Sequence, residues 1–266
     1  MHRTFFGFTK EPFARDIRVE DLYPLPGLTS VVERFKFTVS CGAVGVVTGD
    51  VGAGKSTSLR YSCAQFHTSK YHVISVTALN GTYLEILRKI AMGLNLQLNS
   101  NSPSIMMKHI QTAIVEIANK KQTPILVIDE AHLIRIEVFS QLHTLAQFNF
   151  DSRPIMPMIL CGQNNLIDCL SYHSSRPLAS RVVGRSFLEA INIESMKGYI
   201  EHHLAIAGLK NSVFSEPAIL AIHQGSGGFL RKANHLAVGS LVAAAREKCP
   251  TVSPEHVRIA QTEIFA

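Results

Sequence analysis

Hydrophobic residues in the first two thirds of the chain form short continuous runs separated by longer stretches with helical spacing. Continuous runs rich in Val and Ile are typical of strands that are covered on both faces of a parallel sheet. The stretches between them repeat apolar positions every three to four residues, which predicts amphipathic helices. Strands are predicted at 43–48, 72–77, 124–130, 155–162 and 184–190, with helices at 55–67, 82–93, 104–119 and 135–148 between them.

The pattern changes after residue 192, where only helical spacing remains. Ser215 and Ser253 each precede a helical pattern as N-cap residues. We therefore predict a three-layer αβα core with a parallel five-stranded sheet over residues 1–192, including an N-terminal segment 1–40, and a small all-α domain over 193–266. The C-terminal helices are predicted at 194–207, 215–223, 229–247 and 253–264.

Composition narrows the class of protein. The 266 residues are 46% hydrophobic and 17% charged, as in a folded globular protein. The net charge of +6 permits an anionic partner, and most of the excess lies before residue 194. No apolar run approaches the roughly 18 residues of a membrane span, the N-terminus does not resemble a signal peptide, and the five cysteines are scattered. We expect a cytoplasmic protein with reduced thiols and no membrane partner.

One motif predicts a phosphate-binding loop. The run GDVGAGKS matches G-x-x-x-x-G-K-[ST] and lies between a predicted strand and a predicted helix. Glycines allow the backbone N–H groups to point at phosphate oxygens, and the helix N-terminus adds positive potential. Lys55 is expected to reach the outer phosphates of ATP, and the Ser56 hydroxyl to bind Mg²⁺. The predicted nucleotide-binding residues are Gly49, Asp50, Val51, Gly52, Ala53, Gly54, Lys55, Ser56 and Thr57.

Two adjacent acids end the strand predicted at 124–130. The carboxyl end of a parallel strand is where sheets of this class carry their sites. Asp129 is expected to hold Mg²⁺, and Glu130 to polarise the water that attacks the γ-phosphate. Because adjacent strand residues point to opposite faces, we expect the two acids to serve different partners. The alternative is that these acids cap a short helix at 131–136.

Polar and basic residues further along complete the predicted site. Gln163, or alternatively Asn164, follows the next strand and is expected to orient water. Arg181 is expected to stabilise transition-state charge on a neighbouring subunit's nucleotide, with Arg185 and then Arg176 as the other candidates. Arg231, two residues inside a predicted helix, is expected to contact the phosphates. Surface arginines and an ordinary Asn-Asn turn are the alternatives.

These motifs, in this order, resemble the AAA+ ATPases, in particular the ExeA/GspA-like branch that also contains transposition ATPases of the TnsC, TniB and IstB type. The resemblance runs from FFGFTKEPF near the N-terminus to VSPEHVRIA near the C-terminus. It implies an ATPase core with a helical lid that assembles as a ring or helical filament. It also implies that Gln163 is at sensor 1, Arg181 at the arginine finger and Arg231 at sensor 2. The sequence departs from the branch in GQNNL and GFLR, where GQPEL and GxPR are usual.

The resemblance implies one expected function and one alternative function. Secretion-type members carry a membrane span and a wall-binding domain after the ATPase, and this chain has neither before it stops at Ala266. We therefore expect an ATP-dependent ATPase that binds double-stranded DNA without sequence preference, forms homo-oligomers and recruits or stimulates a transposase. The alternative is a secretion or signalling ATPase that acts on proteins without DNA.

The DNA contacts are expected in the segment 80–110, by comparison with filament-forming relatives. Hydroxyls and lysines there are able to meet phosphates, and no interleaving of aromatic and basic residues predicts base stacking. Helix capping and ordinary exposed lysines are the alternative explanation. The expected contacts are Thr82, Lys89, Ser104 and Lys108.

Overall fold

A five-stranded parallel sheet forms the centre of the computed structural model, which describes residues 2–97, 100–149 and 152–263. The order across the sheet is β2-β3-β4-β1-β5, so the strand with the phosphate-loop motif lies beside β4, and β4 lies beside the strand with the paired acids. This confirms the predicted fold class, a three-layer αβα P-loop core with additional C-terminal helices. The strands are β1 (Val44–Gly49), β2 (Tyr71–Thr77), β3 (Thr123–Asp129), β4 (Met158–Gly162) and β5 (Val182–Leu188).

Twelve α-helices are described. The predicted last helix extends to residue 264, which lies outside the described residues, as do 98 and 99 of the predicted DNA-contact segment. No helix in the described ranges is both long and apolar enough to cross a membrane. The helices are α1 (His2–Phe6), α2 (Pro26–Cys41), α3 (Lys55–Ala64), α4 (Tyr83–Gly93), α5 (Pro103–Asn119), α6 (Ile136–Leu142), α7 (Asn165–Ser171), α8 (Arg176–Ala179), α9 (Ile193–Ile206), α10 (Glu216–Ser226), α11 (Leu230–Arg246) and α12 (Pro254–Thr262).

The main apolar core lies on one face of the sheet. Alternate residues of β2, β3 and β4, such as Ile74, Ile128 and Leu160, are fully buried there among side chains of the flanking helices. Phe139 of α6 has an exposed fraction of 0% and is among the largest of these side chains. Residues buried this completely contribute about 1.5–3 kcal/mol each to the stability of the fold.

The chain forms two compact units. One contains Pro26–Asp50 and Lys55–Leu188, which is the sheet with its helices. The other contains the described residues up to Leu25, the short stretch Val51–Gly54 and the described residues from Glu189 onward. The prediction grouped the first residues with the sheet, whereas the structure groups them with the C-terminal helices.

Contacts within the second unit explain that grouping. The Phe13 ring stacks on the His203 ring of α9 with centroids 5.0 Å apart. The Thr9 backbone N–H donates to the Ala207 carbonyl at the end of the same helix, over 2.8 Å. Phe8 is buried, while Phe5 remains 41% exposed. Phe6 connects them, because its ring centroid lies 4.9 Å from that of Phe5 and 5.8 Å from that of Phe8.

Candidate active site

The glycine-rich loop turns sharply between β1 and α3. Gly52 and Gly54 have φ angles of +86° and +94°, in the left-handed region that glycine adopts without strain. A Cβ atom on Gly52 would lie 3.1 Å from the Cβ of Arg231, whose backbone N–H donates to the Gly52 carbonyl over 3.3 Å. The loop therefore requires glycine both for its conformation and for its close packing.

Lys55 is buried at the first position of α3, with an exposed fraction of 8%. Its ammonium group donates to the carbonyls of Gly49 and Asp50, each over 2.9 Å. A buried ammonium requires such partners, because desolvation without them is costly. The structure thus places the motif's cation against the loop backbone.

Ser56, in the first turn of α3, meets Asp129 at the end of β3. The Ser56 hydroxyl donates to Oδ2 of Asp129 over 2.9 Å, although the two residues are 73 positions apart. The other oxygen, Oδ1, accepts the backbone N–H of Glu130 over 2.8 Å. A hydroxyl beside a carboxylate is a hard oxygen donor set that suits Mg²⁺. These two residues therefore fit the predicted metal.

Glu130 lies just beyond β3, not within it as the prediction 124–130 stated. Its φ is +53°, in the left-handed region, which is uncommon for a residue with a side chain. The two acids therefore diverge because the backbone turns after Asp129, and the strand-alternation argument was wrong. Such a conformation costs about 1–3 kcal/mol and occurs often at functional sites.

The end of β4 lies beside both acids. The Asn164 side-chain amide donates to Oδ1 of Asp50 in the glycine-rich loop, over 2.8 Å. The backbone N–H of Gln163 donates to Nδ1 of His132, over 3.3 Å. Asn164 is thus engaged with the loop, and the role of either amide toward water stays a prediction. Burial, with Asp129 nearby, raises the pKa of the Cys161 thiol and keeps it neutral beneath the site.

His132 is a site residue that sequence reasoning missed. Its imidazole is 7% exposed, and its Nδ1 lies 3.4 Å from a carboxylate oxygen of Glu130. It sits on a short 3-10 turn, Ala131–Leu133, that follows the acids directly. Its place two residues after Glu130 was the signal in the sequence that could have found it.

The four candidate arginines occupy different elements. Arg181 lies between α8 and β5, and its guanidinium donates to the Pro177 carbonyl. Arg176 begins α8, and Arg185 lies on β5; both are exposed. Arg231 is the second residue of α11, beside Gly52. Their roles toward a nucleotide stay predictions.

The candidate DNA contacts also differ from one another. Thr82 and Glu85 form a capping box at the start of α4, and the Lys89 ammonium donates to the Thr77 carbonyl over 2.6 Å. Ser104 and Lys108 are exposed and one turn apart on α5. The α5 pair therefore fits phosphate contact better than the α4 pair.

A second cluster of metal-binding residue types lies near the start of α12. Ligand atoms of Glu247, Cys249 and His256 are all within 4.8 Å of one another. Nδ1 of His256 accepts the Ser253 backbone N–H over 2.9 Å, so Nε2 carries the ring proton and faces Glu247 at 3.0 Å. The imidazole is thus hydrogen-bonded through both nitrogens as part of the cap of α12.

The fold and this site define the class: an α/β P-loop NTPase core. Residues 40–170 match a family model described as AAA domain. Across 250 residues, or 92% of its length, the chain is 25% identical to the general secretion pathway protein A of Aeromonas hydrophila. It spans 45% of that relative.

Solved structures share the fold at low identity. Cdc6p from Pyrobaculum aerophilum superposes with a TM-score of 0.76 at 16% identity, over 95% of this chain and 70% of that one. The ORC1 protein of Aeropyrum pernix in complex with DNA has a TM-score of 0.71 at 14% identity, over 94% and 68%. Domain III of the replication initiation protein DnaA from Thermotoga maritima has a TM-score of 0.60 at 17% identity, over 95% and 98%.

Proposed function

We propose that this chain is a Mg²⁺-dependent ATPase that holds the phosphates of ATP in the loop 49–56. The observation that carries the proposal is the 2.9 Å contact between the Ser56 hydroxyl and Asp129. It brings together, from the first turn of α3 and the end of β3, the hydroxyl and carboxylate that an ATP-bound Mg²⁺ requires. Such an ion, when bound, would shield the phosphate charge.

Five residues of the chain have the other roles in the proposed ATP hydrolysis. Lys55 supplies the cation for the outer phosphates, and Glu130 accepts a proton from the attacking water. Gln163 orients that water, because the neighbouring Asn164 is committed to Asp50. Arg231 contacts the phosphates, and Arg181 acts in trans within a homo-oligomer, a ring or a helical filament.

Two substitutions separate binding from hydrolysis. Lys55→Ala should abolish both ATP binding and nucleotide-dependent assembly, because the phosphates lose their main cation. Glu130→Gln should bind ATP, fail to turn it over and accumulate assembled particles. The measurements are phosphate release, ATP-analogue affinity and light scattering, with the exposed Lys70→Ala as a matched control. Fast turnover by Glu130→Gln would remove the proposed base.

The finer proposal is that ATP drives assembly on double-stranded DNA and that the assembly recruits or stimulates a transposase. Support comes from the basic excess before residue 194, from the exposed Ser104 and Lys108 on α5, and from a DNA complex among the structures of similar fold. Contacts of this kind bind phosphates without reading sequence.

A second candidate is a secretion or signalling ATPase that acts on protein partners alone. The observation that favours it is the similarity to the general secretion pathway protein A, which extends over 92% of the chain. Both candidates share the hydrolysis chemistry and differ in the need for DNA.

DNA binding with an ATP analogue, with ADP and without nucleotide distinguishes the two. Fluorescence anisotropy on a labelled duplex should show tighter binding with the analogue, and particles should grow in light scattering. Lys108→Ala should weaken binding equally for unrelated sequences and lower the salt slope by about 1. Assembly that ignores DNA in all three states would favour the protein-only ATPase.

A further inference from the structure

Nδ1 of His132 is close to both the Gln163 segment and the Glu130 carboxylate. The Gln163 backbone N–H approaches it to 3.3 Å, and a carboxylate oxygen of Glu130 approaches the same atom to 3.4 Å. The ring is held closely, because a Cβ on Gly162 would lie 3.1 Å from Nδ1. The end of β4 and the catalytic acid are thus connected through one nitrogen.

The two contacts cannot be full hydrogen bonds at the same time. To accept the Gln163 N–H, Nδ1 must present its lone pair, and a lone pair does not bind a carboxylate. To donate to Glu130, Nδ1 must carry the proton, and it then cannot accept from Gln163. Each tautomer of the ring therefore forms a hydrogen bond with either Gln163 or Glu130, but not with both.

We infer that His132 is a positioning residue that couples the Gln163 segment to the orientation of Glu130. When Nδ1 accepts from Gln163, the segment is fixed and the Glu130 carboxylate can turn to water. When the segment moves away, the other tautomer donates to Glu130 and holds it. This inference rests on the proposed ATP hydrolysis and adds a control on its base.

Two substitutions distinguish positioning from packing. His132→Asn keeps a polar side-chain atom near the position of Nδ1, whereas His132→Phe keeps the ring volume and removes the nitrogen. We expect kcat for ATP hydrolysis to fall about tenfold or more in His132→Phe and to remain within about threefold in His132→Asn. KM and ATP-analogue affinity should change little in either, because the loop 49–56 is untouched.

The outcomes separate a failure of this inference from a failure of the proposed function. Equal losses in both variants, or better activity with Phe than with Asn, would mean that the ring only fills space and would overturn the inference. If Glu130→Gln hydrolyses ATP as fast as the wild type, the proposed function itself is refuted. Thermal unfolding of each variant checks that it folds.

A spectroscopic measurement on the unmodified chain tests the same point without substitution. The ¹⁵N shift of a ring nitrogen with a lone pair differs from that of one bearing a proton. We expect the His132 Nδ1 signal to change between the nucleotide-free and the ATP-analogue-bound protein. An identical Nδ1 state in both samples would contradict the coupling.

Discussion

Acid should destabilise this protein through one buried histidine. His203 of α9 has an exposed fraction of 3% and lies between the rings of Phe13 and Tyr199, with centroids 5.0 and 4.4 Å away. Its Nδ1 has no hydrogen-bond partner among the described residues. Burial, helped by the adjacent His202, lowers the pKa of His203 from 6.5 to about 4.

The sign and size of the effect follow from that pKa. Because the unfolded chain binds the proton more readily, stability is greatest above pH 6.5 and falls as the pH decreases toward 4. One pKa unit corresponds to about 1.4 kcal/mol, so the full loss is about 3 kcal/mol. Roughly 2 kcal/mol of it should be gone at pH 5.

Urea unfolding at pH 7.5 and pH 5 measures the loss. His203→Phe replaces the ring with one that does not titrate, so its free energy of unfolding should fall by about 2 kcal/mol less than that of the wild type over this interval. His173→Phe, at an exposed histidine, is the matched control and should follow the wild type. If His203→Phe loses as much as the wild type, the buried ring is not the proton acceptor.

Three further substitutions test other parts of the fold. Gly54→Ala should weaken ATP-analogue binding about tenfold or more in calorimetry, because its φ is +94°, whereas Gly7→Ala, also left-handed but with open space, should leave binding unchanged. Phe139→Ala should cost about 3–5 kcal/mol in urea unfolding, and a loss below 1 kcal/mol would contradict its full burial. Tyr199→Phe removes a 2.9 Å hydrogen bond to Asn234 and should cost about 1 kcal/mol; an unchanged midpoint would count against that bond.

The sheet could be predicted because its signals are local. Apolar runs such as PILVID stay within one strand, and the glycine motif must follow a strand and begin a helix. The observed strands accordingly start and end within a few residues of the predictions. The proximity of Ser56 and Asp129 also followed, since both were predicted to bind one Mg²⁺ at the carboxyl edge of the parallel sheet.

Features that depend on distant partners could not be predicted. The helix α2 (Pro26–Cys41) contains Gly and several β-branched residues, which lower its local helix signal, and packing against the sheet stabilises it. The hydrogen bond from Asn164 to Asp50 joins residues 114 positions apart. The left-handed backbone of Glu130 ends the strand pattern directly after Asp129.

The grouping of the N-terminal residues with the C-terminal helices has a consequence for the order of folding. The sheet unit is nearly continuous in sequence, so it can fold before synthesis of the chain is complete. The other unit must wait, because Thr9 pairs with Ala207, 198 residues later. The stretch Val51–Gly54 belongs to that late unit. The sheet should therefore fold first during synthesis. The glycine-rich loop should reach its final conformation only after α11 has been synthesised.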